Sequence, residues 1–262
     1  TAHLTETWTA ITELLSGLDD ARWRSATPCE GWTVHDVAAH LGHMEGLPLG
    51  FDQPEPPDEF DPASHSGIDA VTEAGVAARR SWSHAHVLDE IRRASAGTLD
   101  RVSHLDAEEW ETERWASPIG VLPMHQAQEI RLADAYVHLL DMRHGLGMPL
   151  DPTEEPLTAE VVVGRAVRLT GWGAVKGARL PDGTHIRLDI EGAGGTSSDL
   201  VVEGGRGNLG PPHGETTDRI AGTGLAYLLA VAGRRAMVDA AGGLDVSGDA
   251  AAALLGGYRL FL

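Results

Sequence analysis

One helix-length segment near the middle of the chain is apolar on nearly every side and polar along a single stripe. Ile130, Leu132, Ala133, Ala135, Tyr136, Val137, Leu139 and Leu140 surround Arg131, Asp134, His138 and Asp141. At about 100° per residue, these four polar side chains fall within roughly 80° of one another. A solvated helix has a broad polar face instead. This one must be enclosed by other elements, and its polar groups need partners or a ligand, because burying them unpaired costs free energy. The segment therefore predicts a helix packed among helices with a polar site inside the packing.

A second helix supplies a partner. Gly31-Trp32-Thr33 leads into Val34 to Met44, with Thr33 placed as the N-cap. Val37, Leu41 and Met44 lie within roughly 100° of His40 on the helical wheel, so His40 projects from the apolar side while His35 and His43 point elsewhere. Bringing His40 beside Asp134 and His138 makes a set of two imidazoles and one carboxylate. That set suits zinc, or another divalent metal, with a coordination position left open, as catalytic sites have. Asp141, one turn past His138, is placed to accept the other imidazole N–H, and Arg131 to hold a carboxylate of the site or of a substrate. Taken singly, an Asp and a His four apart are more often a helix-surface pair, and a lone His on an apolar face is more often a core residue bonded to backbone.

The length of 262 residues allows one large domain or two modest ones, and the pattern favours two. Residues 1–148 read as helical segments, Gly147 to Pro152 supplies turn chemistry, and residues 156–262 read as a smaller α/β domain with a mostly antiparallel sheet. There a helix is expected around 157–170, strands over Thr184–Ile190 and Asp199–Glu203, and a buried helix over Leu225–Val231 closed near Gly233. The Gly-rich runs at 192–195 and 204–207 lack the Lys and the following helix of a phosphate loop, so they read as hairpin turns.

A formal charge of −19, spread along the chain, argues against nucleic-acid or anionic-membrane partners. No apolar run approaches the roughly 20 residues needed to cross a bilayer, and no signal pattern is visible, so a cytoplasmic location is expected. The oligomeric state stays open between monomer and homodimer. The acidic, Pro-rich stretch Phe51–Pro62 reads as an exposed loop, either a plain connector or the border of a substrate entrance. The single cysteine, Cys29, excludes an intrachain disulfide and a four-cysteine zinc site; it reads as a small residue packing a helix entrance or, less commonly, as a nucleophile. No Gly-x-Ser-x-Gly elbow occurs.

The segment Cys29-Glu30-Gly31-Trp32-Thr33 through Ala39-His40-Leu41, followed downstream by Arg131-x2-Asp134-x3-His138-x2-Asp141, resembles the mycothiol-dependent maleylpyruvate isomerase family within the DinB-like four-helix-bundle superfamily. The resemblance covers nearly the whole chain, with the C-terminal part similar to sterol-carrier-type α/β domains. It implies that His40, Asp134 and His138 ligate zinc, with Asp134 standing where the family's isomerases typically carry glutamate. Asp is one methylene shorter, so its carboxylate reaches roughly 1 Å less far and the site must close up or tilt. Ala232-Gly233-Arg234 resembles the segment that brings an arginine toward the active site, which makes Arg234 a catalytic candidate beside Arg131. The adjacent Arg235 leaves a solvated arginine pair as the other reading. Arg234 and Trp32 are the residues expected at the bound cofactor, Trp32 as a wall of the pocket.

The family implies mycothiol as the thiol cosubstrate. Its addition to a small electrophile gives cis–trans isomerisation if the thiol then leaves, or an S-conjugate if it stays. A different class of reading also stands: a ligand-binding protein whose metal is structural, with a fourth ligand recruited from His43, His125 or Glu129. The last reading is an inactive member of the fold with an empty site.

Overall fold

The computed structural model describes residues 1–65, 67–117 and 120–260. The chain divides into two compact units, Thr1–Met148 and Pro149–Leu262.

The first unit is helical. Helix α1 (Ala2–Ser16) buries Leu4, Trp8, Ile11 and Leu15, a spacing that lines one face. After the single turn α2 (Asp20–Trp23), capped by Asp19, comes α3 (Val34–Gly46). Its N-terminus is a capping box: Thr33 Oγ1 accepts from the Asp36 amide at 3.3 Å, and Asp36 Oδ2 accepts from the Thr33 amide at 2.9 Å. Helices α4 (Gly67–Arg79), α5 (His84–Ser103) and α6 (Ala107–Thr112) follow. Strands β1 (Arg114–Ser117) and β2 (Gly120–Pro123) then lead into the long α7 (Met124–Gly145). Helices α1, α3, α5 and α7 make the four-helix bundle, with α3 packed against α4, α5 and α7.

Every residue of α3 is buried. His35 and His43 do point away from His40, but into packing rather than solvent. His35 Nε2 lies 3.1 Å from the Arg79 carbonyl oxygen, and His43 Nδ1 lies 2.7 Å from Gln53 Oε1. The imidazole of His43 fits because residue 75 is glycine: a Cβ there would sit 2.2 Å from the ring. The stretch 51–61 has no helix or strand, yet Gln53 anchors it to the buried face of the bundle through His43 and Arg79. The β1–β2 hairpin, which pairs Trp115 with Leu122, departs from an all-helical reading of residues 1–148. Its strands are too short for an alternating pattern to register.

The second unit opens with α8 (Pro156–Arg168) and α9 (Thr170–Trp172), which runs into a wide turn at Gly173–Gly177. Strands β3 (His185–Glu191), β4 (Thr196–Glu203), β5 (Arg206–Gly210), β6 (Arg219–Thr223) and β7 (Leu244–Ser247) form one sheet in the order β5-β4-β3-β6-β7. Only the β3–β6 pairing is parallel; the others are antiparallel. Strand β3 alternates, with Ile186, Leu188 and Ile190 buried in the core. The buried helix α10 (Gly224–Val231) packs on α8, β3 and β6, and α11 (Asp249–Gly257) closes the unit. Strand β4 begins three residues before the expected Asp199, because Thr196, Ser197 and Ser198 pair with Ile190, Asp189 and Leu188 without any apolar signal of their own.

Candidate metal centre

The polar stripe of α7 meets α3 across the bundle interior. His40 Nε2 lies 3.3 Å from Asp134 Oδ2, and His138 Nε2 lies 3.7 Å from Asp134 Oδ1. The imidazoles of His40 and His138 stand edge to face with centroids 4.7 Å apart. One ligand atom from each of the three residues falls within 4.8 Å of the others. His138 Nδ1 is 3.0 Å from Asp141 Oδ2, a carboxylate fully buried one turn along the same helix. That contact places the Nδ1 proton toward Asp141 and turns Nε2 toward the cluster.

Three further groups enclose the cluster. Trp32, at the entrance to α3, has its ring 5.3 Å from that of His40 and 6.1 Å from that of His138, with Nε1 donating to Glu73 at 3.0 Å. Cys29 Sγ donates to Asp141 Oδ2 at 3.1 Å and lies 3.8 Å from His138 Nδ1. Arg131 donates from Nη1 to Asp134 Oδ2 at 2.8 Å and from Nε to the buried Glu45 at 3.3 Å.

These placements set the charges. Burial works against the cationic form of His40 and outweighs the pull of Asp134, so its pKa falls to about 4 and the ring is neutral at pH 7. Burial also works against a charged His138, but the hydrogen bonds with Asp141 and Cys29 and the charges of Asp134 and Asp141 prevail, raising it to about 10. Burial would raise the Asp134 pKa, yet His40 and Arg131 hold it far below the usual carboxylate range. A divalent cation suits this donor set: one neutral imidazole, one imidazole whose proton a metal would displace, and an ionised carboxylate. In tetrahedral zinc sites the ligand atoms stand about 3.3 Å apart, close to the spacings around Asp134 despite its shorter side chain.

Arg131 belongs to two places at once. The guanidinium holds Asp134, and Arg131 is also among the residues lining a cavity of about 370 Å³ with Met44, Leu47, Pro48, Ile68 and Val71. Its Nη2 is buried and has no hydrogen-bond partner among the described residues.

The structure thus gathers His40, Asp134, His138, Asp141, Arg131 and Trp32 into one region of the bundle. Arg234 lies in the C-terminal unit, half-buried before the short turn Arg235–Met237, where its Nη1 donates to the Ala232 carbonyl at 3.2 Å. None of His43, His125 and Glu129 joins the cluster among the described residues. His43 faces Gln53, and His125 faces the Trp110 carbonyl. Sequence reasoning missed Glu45 and the bond from Cys29 to Asp141. Glu45 sits among apolar neighbours on α3, and this was the only available signal; nothing in the order of residues pairs positions 29 and 141.

A helical bundle that gathers two imidazoles and a carboxylate from two facing helices, followed by a mixed-sheet α/β unit, defines a class whose chemistry resides at a buried polar centre. The chain belongs to the mycothiol maleylpyruvate isomerase family: the model for that family's N-terminal domain matches residues 4–143. Two solved structures share the fold. One, a mycothiol-dependent maleylpyruvate isomerase, is 18% identical with a TM-score of 0.56, and a histidine-to-alanine variant of such an isomerase is 16% identical with a TM-score of 0.54. Each alignment covers 89% of this chain and 88% of the other. No curated protein matches the chain.

Proposed function

We propose that the protein is a metal-dependent enzyme that adds a low-molecular-weight thiol, mycothiol, to a small electrophile, with cis–trans isomerisation as the outcome. The observation that carries this reading is the orientation of His138. Its Nδ1 is engaged by Asp141, and its Nε2 faces Asp134 and His40. Family membership supports the isomerase-like activity. His40, Asp134 and His138 would hold the metal, for which zinc fits best. When bound, a zinc ion in this position lowers the pKa of a thiol, so that a thiolate is present at neutral pH.

The chain's own residues do the rest. Asp141 fixes the tautomer and ring plane of His138, and Cys29 donates to the same carboxylate oxygen. Arg131 holds Asp134 and brings a positive charge to the wall of the cavity, near an acceptor oxygen of the substrate. There it stabilises the negative charge that develops when the thiolate adds to a double bond conjugated to a carbonyl. The S–C bond forms as the π pair moves to the carbonyl oxygen. Rotation about the resulting single bond and expulsion of the thiolate give the other isomer. The apolar walls from Met44, Leu47, Ile68 and Val71 limit water around the enolate.

The same cavity favours a second outcome. Its lining is mostly apolar, which suits an electrophile with a hydrocarbon body, and protonation of the enolate before thiolate loss would leave an S-conjugate. Turnover with mycothiol and an unsaturated acid separates the two, because an isomerase returns the free thiol whereas a transferase consumes it stoichiometrically. The reading fails if the purified chain, stripped and reloaded with zinc, neither isomerises nor conjugates in the presence of mycothiol.

A further inference from the structure

A second set of ligating side chains lies wholly within the C-terminal unit, on the sheet face opposite its core. Strand β3 sends Ile186, Leu188 and Ile190 inward, so His185 and Arg187 point to the other face. Asp199 on β4 pairs directly with Arg187 and belongs to that outer face, where a carboxylate is ordinarily solvated. It is instead completely buried, at 0% exposure. The segment after β5 covers it, and the His213 amide donates to Asp199 Oδ2 at 2.6 Å.

Two imidazoles converge on the same oxygen. His185 Nε2 is 2.8 Å from Asp199 Oδ2 and His213 Nδ1 is 3.1 Å from it. The rings lie nearly parallel, 13° apart with centroids separated by 4.9 Å. The two nitrogens and a carboxylate oxygen all fall within 4.8 Å of one another. The other carboxylate oxygen, Oδ1, accepts from Arg187 Nε, while Arg187 Nη2 stands 3.4 Å from Oδ2. His213 Nδ1 also lies 3.3 Å from the Pro211 carbonyl.

An ion pair between Arg187 and Asp199 explains the burial of the carboxylate, but it does not explain His185. The Nε2 atom of His185 is buried and is aimed at the carboxylate oxygen that His213 also approaches. The two atoms stand at hydrogen-bonding distance, and His213 Nδ1 crowds the same oxygen at 3.1 Å. Ligands on tetrahedral zinc, at roughly 2.0–2.1 Å from the ion, stand about 3.3 Å apart, so a small outward shift of the two rings makes room for an ion between them and the carboxylate. Imidazole nitrogens with one carboxylate oxygen suit zinc and the neighbouring divalent transition metals rather than calcium or magnesium.

We propose that His185, Asp199 and His213 form a second transition-metal site, separate from the centre in the helical bundle. The ion fastens the segment around His213 to strands β3 and β4. Arg187 holds the free carboxylate oxygen and orients Asp199 toward the ion, as outer partners of metal ligands do. The imidazole of His213 is 63% exposed, so the site is open to ions from solvent.

Titration of the chelator-stripped full-length chain with Co2+, followed by calorimetry and by visible absorption, tests the site. Two equivalents are expected for the unaltered chain, one for His213→Gln, one for His138→Ala and none for the double variant. Co2+ should also slow hydrogen exchange of the backbone amides at 212–216 in the unaltered chain and in His138→Ala, but not in His213→Gln. His185→Gln, checked for its fold by circular dichroism, must behave as His213→Gln does. The proposal is overturned if both of these variants bind as much Co2+ as the unaltered chain. It is equally overturned if the unaltered chain binds a single equivalent that His138→Ala abolishes. A single equivalent lost in His213→Gln and kept in His138→Ala sustains this site and removes the metal from the bundle centre instead.

Discussion

Two buried arginines of the bundle, Arg79 and Arg131, hold carboxylates to different ends. Arg79 donates from Nε and Nη2 to the two oxygens of Glu90 at 2.7 Å each, from Nη2 also to Gln53 at 3.1 Å, and from Nη1 to the Gly75 carbonyl at 3.0 Å. The guanidinium also lies 5.0 Å from the ring of Trp82. Every nitrogen of that guanidinium is engaged. Arg131 divides its donors between Glu45 and Asp134 and leaves Nη2 buried without a partner among the described residues. Close by, His40 Nδ1 is likewise buried and unpartnered. The first arginine spends all its nitrogens on holding the fold, whereas the second, of similar burial, holds Asp134 beside the two imidazoles.

Breaking each pair should expose this division. Replacing His138 with alanine is expected to abolish metal binding at the proposed centre and, with it, to lower the proposed thiol-addition activity by more than about 100-fold, with helical circular dichroism unchanged; elemental analysis and turnover check both. Arg79→Ala should do the opposite. It strands Glu90 as a buried charge, so denaturant unfolding should show a loss of about 3–5 kcal/mol, while metal content per folded chain is retained.

The pH dependence of the metal-free protein sharpens the contrast, because the network around Asp134 titrates. His40 is depressed to about 4 from an unfolded value of about 6.5. The unfolded chain binds more protons between those values, so stability falls by about 3 kcal/mol as pH drops through that window. His138 is raised to about 10, so its contribution is fully present below about pH 6.5 and fades as pH climbs toward 10. Thermal melts should therefore peak near neutrality, and zinc should flatten the alkaline limb by replacing the His138 proton. An alkaline limb unchanged by zinc would contradict the ligand role of His138.

Smaller changes probe the supports. Asp141→Asn should weaken metal binding by about 10–100-fold, measured by competition with a chromophoric chelator, and should shrink the alkaline limb of the metal-free protein, because Asp141 is the leading partner that raises His138. Thr33→Ala removes the cap that starts the helix carrying His40 and should cost about 1 kcal/mol in denaturant unfolding. A larger loss of metal affinity than of stability would mean that the cap positions His40 as well as holding the helix.

The amino-acid order alone determined which side chains share a face. The stripe on α7, the cap at Thr33, the projection of His40 and the alternation of β3 follow from periods of 3.6 and 2 residues, which are local properties of the backbone. The two-histidine, one-carboxylate set of the bundle was legible for that reason. Partners distant in the chain were not. Cys29 beside Asp141, Glu45 beside Arg131, and His213 folded over Asp199 are contacts between segments whose separation in sequence carries no periodic signal. The burial of His35 and His43 was hidden too, because a helix enclosed by α4, α5 and α7 has no solvent face to declare. Tertiary structure decided which polar groups are satisfied and which remain open, since that depends on what each neighbour offers once the apolar surfaces have closed around it.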